Sequence, residues 1–247
     1  MHHARYFPAP RGTDGTPALT KTELKHAVMV ASGSGRTPER DAALILCSAT
    51  TGLRVTEIAS LEVQHIMAED GSYLLEGWLP GEFTKSGKPG AIFVTNDKFQ
   101  MALDKYLQYR IRKKHLISDN PKKYRGLRPD SKTFLTETGR RFAMSIKKRT
   151  RLEGKKEVTI EYKACDVLER AFKRFYIRAF GEQTSFSSHS GRKYFANQLA
   201  NILNRKAEEH EFYEDIVELM RSQNLTAIQP YLIPTKAEII STSKNMY

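Results

Sequence analysis

Cysteine is scarce in this chain: Cys47 and Cys165 are the two present in 247 residues. Two cysteines in apolar or helical surroundings build neither a disulfide framework nor a four-ligand zinc site, so a reducing, cytoplasmic setting is expected. Long apolar runs are missing too. None approaches the roughly 20 residues of a membrane-spanning helix, and the opening MHHARYFPAPRGTDGTPAL lacks the apolar centre of a signal peptide. Residues 1–19 are expected to be a flexible lead-in. There is no Gly-rich nucleotide loop and no cluster of carboxylates, which argues against phosphate chemistry driven by ATP or by paired metal ions. Acid is the last shortage, and it is local. Between Lys105 and Lys156 stand 18 lysines and arginines against 4 acidic residues, while the whole chain carries +12. Charge of one sign gathered in this way favours a polyanionic partner over small acidic metabolites.

What is present reads as a folded, mainly helical α+β chain, with 40% hydrophobic residues available for a core. Thr20 or Thr22 caps a helix running to about Ala31. A second helix from Glu39 to about Thr50 is apolar enough to be buried and is stopped by Gly52, and Val55 to Leu61 forms a further short helix. From Ser72 to Val94 short apolar runs flank a Ser-Gly turn, which predicts a small antiparallel sheet. Asp97 to about Leu116 is amphipathic, with Phe99, Leu103, Tyr106, Leu107 and Ile111 inward. The basic stretch that follows, interleaved with Tyr124, Phe134 and Phe142, reads as a surface contacting a nucleic-acid backbone, with part of Pro121 to Asp130 expected to be disordered. Helix returns over Lys163 to Phe180, with Val167 among its core-side residues, and again over Asn204 to Met220.

Two segments carry the chemistry. Ser187-Ser-His189-Ser-Gly-Arg192 opens a helix whose apolar stripe includes Tyr194, Phe195 and Leu199. A helix N-terminus offers unpaired N–H groups and partial positive charge, so a His and an Arg three residues apart on its first turn make an anion site. Far upstream, Thr51-Gly-Leu-Arg54-Val-Thr-Glu57 places an arginine at a helix start. That segment resembles the first motif box of the tyrosine recombinase (phage integrase) family. His189-Ser-Gly-Arg192 resembles its His-x-x-Arg box, and Gln229-Pro-Tyr231-Leu-Ile resembles its nucleophile box. The three occur in the family's order, and the likeness spans residues 20 to 235.

The resemblance implies a catalytic domain over residues 20–234 that breaks and rejoins double-stranded DNA without cofactor or metal. Tyr231 would attack the phosphorus, Arg54 and Arg192 would clamp the phosphate oxygens, and His189 would take the tyrosine proton or orient the phosphate. Lys85, in the hairpin turn Thr-Lys-Ser-Gly-Lys, matches the family's general acid, with Lys88 the competing candidate, and Glu57 would hold Arg54. Ser222 stands where the family places a His or Trp; it donates one hydrogen bond but cannot reproduce an aromatic ring. Candidate DNA-backbone contacts are Lys88, Lys113, Lys114, Arg140, Arg141, Lys147, Lys148 and Lys193. Residues 235–247 are expected to form a tail that docks on a neighbouring protomer or on the chain's own body. A tetramer assembled on DNA, with accessory DNA-bending proteins, is implied as the working form. Rival readings are a type IB topoisomerase and a catalytically degenerate DNA-binding module.

Overall fold

The computed structural model describes residues 16–84, 87–153, 156–204 and 243–244. Its centre is helix α2 (Pro38–Thr51), in which every residue from Asp41 onward is buried. Pro38 at the first helical position pre-sets the backbone, and Ala42 through Cys47 are apolar on all sides, which suits a helix enclosed by others. Around it pack α1 (Lys21–Gly33), α4 (Asp97–Arg112) and α6 (Ser190–Asn204), while α5 (Asp166–Phe180) lies against α1. Helix α1 starts as expected. Thr20 accepts from the Glu23 N–H at 3.2 Å, and Glu23 accepts from the Thr20 N–H at 2.7 Å, a reciprocal cap.

Gly52 ends α2 in the left-handed region, with φ of 65°, and a two-residue turn leads to α3 (Val55–Ser60). The predicted small sheet is present as β1 (Gly77–Leu79) paired antiparallel with β2 (Gly90–Ile92). Asn96 then caps α4, its Oδ1 accepting from the Phe99 N–H at 3.0 Å. The same side chain donates to the Ser243 and Lys244 carbonyls at 2.6 and 3.0 Å, which brings that short part of the tail against the body.

The structure corrects the sequence reading of the basic stretch. Helix α4 ends at Arg112 rather than near Leu116, because Lys114 and Leu116 take left-handed backbone conformations. Ile111 is exposed, and its neighbour Arg110 is fully buried instead. The Arg110 guanidinium donates to the Lys132 and Thr133 carbonyls at 3.1 Å and to Ser131 Oγ at 2.9 Å, and burial lowers its pKa. Residues 121–130 are not disordered. They form a turn pinned to α4 by an Arg125–Asp104 ion pair and to the segment before β1 by stacking of Arg125 on the Tyr73 ring. Phe134 and Phe142 are core residues rather than DNA-facing aromatics.

The largest departure is a long antiparallel ribbon, β3 (Ser145–Glu153) with β4 (Lys156–Ala164), in a stretch whose basic composition predicts no strand. Lys163 belongs to β4, so the following helix starts only at Asp166, and Val167 faces solvent rather than the core. The fold class stands: a mainly helical α+β chain, whose described residues contain two small two-stranded antiparallel sheets.

Candidate functional site

The left-handed turn at Gly52 brings the end of α2, the start of α3 and the first turn of α6 to one point. A side chain at Gly52 would be strained at that φ, and its Cβ would lie 2.4 Å from the Phe195 ring of α6. Gly191 permits the same approach from the other side, where a Cβ would sit 2.6 Å from Ser48 Oγ of α2. Two glycines thus set how closely α6 approaches α2.

Arg54 is the N-cap residue of α3. Its N–H donates to Glu57 Oε2 at 2.7 Å and its Nη1 to Glu57 Oε1 at 3.0 Å, so one carboxylate grips both its backbone and its guanidinium. Glu57 has no solvent exposure, whereas the Arg54 side chain keeps 22%. The carboxylate is therefore a buried support and the arginine reaches the surface. Arg192 comes from α6, and its Nη1 donates to the Gly52 carbonyl, two residues before Arg54. Two arginines from distant parts of the sequence are thus anchored within the same short segment, residues 52–57.

His189 lies at the head of α6 and is exposed. Its N–H donates to Ser187 Oγ at 3.3 Å, and its carbonyl accepts the Lys193 N–H at 2.9 Å, the first bond of the helical ladder. Ser190 Oγ accepts from the Ser187 N–H at 3.0 Å, which fixes the approach to the helix. His189 and Arg192, three apart, share a face of the first turn at a Cβ separation of about 5–6 Å. Lys193 turns elsewhere, donating to the Thr16 carbonyl.

Lys85, Ser222 and Tyr231 lie outside the described residues. Of the hairpin that carries Lys85, the base is described: Thr84 Oγ1 donates to the Lys88 carbonyl at 2.7 Å, and Lys88 is exposed. Lys132 secures that base to α3, donating to the Ser60 carbonyl at 3.0 Å and to Glu62 at 2.9 Å, with its ammonium 4.3 Å above the Phe83 ring. Among the described tyrosines, Tyr73, Tyr106, Tyr176 and Tyr194 are poor nucleophile candidates, because burial raises the pKa of each hydroxyl. Among the described residues no three His, Cys, Asp or Glu side chains converge as a metal site requires, and no helix is long and apolar enough to cross a membrane.

The remaining candidate backbone contacts are dispersed. Lys113 and Lys114 are exposed just past α4, and Arg140 and Arg141 are exposed before β3. Lys147 pairs with Asp166, and Lys148 with Glu161 at 3.0 Å. Sequence reasoning missed the exposed Arg149 and Tyr162 on the ribbon. The alternation Val158, Ile160, Tyr162 was the signal that could have found the strand.

The sequence profile described as Phage integrase family matches residues 17–203. The chain belongs to the phage integrase family. That match takes in Arg54, Glu57, His189 and Arg192 and ends before Ser222 and Tyr231. No curated protein matches. Among solved structures, XerA recombinase aligns at a TM-score of 0.54 and 17% identity, over 91% of this chain and 62% of that one. The XerH site-specific recombinase, in a pre-cleavage complex with its difH substrate, gives 0.53 and 16%, over 92% and 53%. The Tn1549 transposon integrase, in complex with transposon right end DNA, gives 0.52 and 17%, over 93% and 65%. At these identities the likeness is one of fold, and this integrase-family chain spans roughly half to two thirds of the length of those proteins.

Proposed function

We propose that this chain is the catalytic part of a site-specific DNA recombinase that exchanges strands through a 3′-phosphotyrosyl intermediate. The supporting observation is the junction itself: Arg192 held on the Gly52 carbonyl beside Arg54, with Arg54 fixed from beneath by the buried Glu57. Two pre-positioned guanidinium groups are suited to the non-bridging oxygens of a phosphodiester, where negative charge grows as the phosphorus becomes five-coordinate.

In this reading the Tyr231 hydroxyl attacks the phosphorus as its proton passes to His189, the P–O bond to the 5′ oxygen breaks, and Lys85 protonates that leaving oxygen. The 3′ phosphate stays on the tyrosine until a new 5′ hydroxyl reverses the reaction. Because one phosphoester replaces another, the bond energy is retained. Ser222 would donate a hydrogen bond to the same phosphate. Assembly as a tetramer on duplex DNA follows from the family resemblance.

Covalent trapping tests the reading. Wild type and Tyr231→Phe are incubated with nicked suicide duplexes drawn from a pool of sequences and resolved on denaturing gels. A protein-linked DNA band lost in Tyr231→Phe is expected. Tight binding with no band from any duplex would leave a non-catalytic DNA-binding protein, and relaxation of plasmid without a preferred site would move the reading to a topoisomerase.

A further inference from the structure

The β3–β4 ribbon is unlike the rest of the chain. Across residues 145–150 and 157–163 no side chain is buried, although Ile146, Ile160 and Tyr162 are 70%, 38% and 41% exposed. A two-stranded ribbon with no core is marginal in water, and this one is tied to the body chiefly at its foot. Lys147 pairs there with Asp166 of α5, and Lys163 donates to the Glu82 carbonyl of the β1–β2 hairpin at 3.3 Å.

The strand register sorts its side chains by face. One face carries Lys148 opposite Glu161 and Thr150 opposite Thr159, and both pairs bond across the strands at 3.0 Å. That face answers its own charge. The other carries Lys147 opposite Tyr162 and Arg149 opposite Ile160, followed on β4 by Val158. Lys147 at its foot is answered by Asp166 of α5, and further out Arg149 stands opposite Ile160 with no acid among the face's described side chains. Basic groups alternating with exposed apolar ones suit a partner that presents regularly spaced negative charge beside apolar edges.

Duplex DNA presents that pattern. Its major groove, about 12 Å wide, admits a two-stranded β-ribbon, displays thymine methyl groups on its floor and is bordered by phosphates. Nine residues per strand give a length of about 30 Å, close to one helical turn of DNA. We propose that the Arg149–Tyr162 face of the ribbon lies in the major groove of duplex DNA next to the segment held by the Arg54–Arg192 junction. The proposal rests on the reading of the chain as a DNA recombinase and adds a second, separate grip.

The test uses the full chain, a labelled 40-base-pair duplex of mixed sequence and a salt series followed by fluorescence anisotropy. Three variants are compared with wild type: Arg149→Gln with Tyr162→Ser, Thr150→Val with Thr159→Val on the opposite face, and Lys98→Gln as a charge-loss control on α4. The first is expected to bind about tenfold more weakly, with a salt slope shallower by about one. It should also lose the protection that wild type gives guanine N7 against methylation by dimethyl sulfate. The other two are expected to bind as wild type does. Equal affinity and equal N7 protection in the Arg149/Tyr162 variant would overturn the proposal, as would intact DNA affinity with lost self-association in sedimentation, which would assign the face to a second copy of the chain. The catalytic reading fails separately. Ribbon-dependent binding without any Tyr231-linked DNA would sink that reading and leave the ribbon standing, whereas a Tyr231 adduct with ribbon-independent binding would do the reverse.

Discussion

At the α2–α3–α6 junction each arginine is fixed from below, Arg54 by the buried Glu57 and Arg192 by the Gly52 carbonyl, whereas Arg149 on the ribbon stands exposed on a strand with no core beneath it. Both regions present positive charge. They differ in what holds it. A cation that must meet one phosphate at one geometry gains from a rigid support, since reorganisation during the reaction then costs little. A cation that follows a groove gains from freedom to adjust, and a solvated ribbon supplies it.

Breaking the support should therefore have the largest effect. Glu57→Leu removes a fully buried carboxylate and leaves the Arg54 guanidinium and N–H without it. The expected loss is about 3 kcal/mol in urea denaturation, reduced from the fully buried case because Arg54 still reaches solvent. Stability within about 0.5 kcal/mol of wild type would show that the pair is dispensable. Next in size is Gly52→Ala. The residue would be held at φ of 65° with its Cβ 2.4 Å from the Phe195 ring, a combined cost of about 2 kcal/mol. As α6 is displaced, Arg192 should leave the Gly52 carbonyl, and a structure of the variant would show whether it does.

These supports explain what could be read in the sequence. Local chemistry was legible: the Thr20 cap, the Gly52 stop and the amphipathic start of α4 each depend on a few neighbouring residues. Arg54, Glu57, His189 and Arg192 were legible through the family resemblance, since each sits in a short motif. Their meeting was not, because it depends on Gly191 and Ser48 letting α6 approach α2, a contact between segments more than 140 residues apart. The ribbon was hidden for a different reason. Lysine and arginine dominate β3, so the alternation that marks a half-buried strand is lost, and only β4 keeps it at Val158, Ile160 and Tyr162. Arg110 misled in the same way, since a charged residue beside Ile111 reads as the exposed member of the pair.

Arg110 also sharpens the comparison, being an arginine supported entirely by neutral acceptors among its described partners. Arg110→Met keeps much of the volume but leaves the Lys132 and Thr133 carbonyls short of a donor. The expected loss is about 1–2 kcal/mol, smaller than for Glu57→Leu because no opposite charge is stranded. A loss of 3 kcal/mol or more in the same denaturation experiment would mean that carbonyl support equals carboxylate support, and the distinction between the two arginines would fall.

The smallest effect is expected on the ribbon. Thr150 and Thr159 face each other across β3 and β4, their hydroxyls 3.0 Å apart. Thr150→Val with Thr159→Val keeps the β-branched shape and removes that bond. Because both hydroxyls already face water, global stability should change by less than about 0.5 kcal/mol. Amide exchange in residues 146–150 should nevertheless be fast in both proteins, close to that of surface loops, because an exposed ladder opens without unfolding the core. Protection of those amides at the level of α2 would show that the ribbon shares the body's cooperative stability. The contrast between a fixed junction and an adaptable ribbon would then have to rest on charge alone.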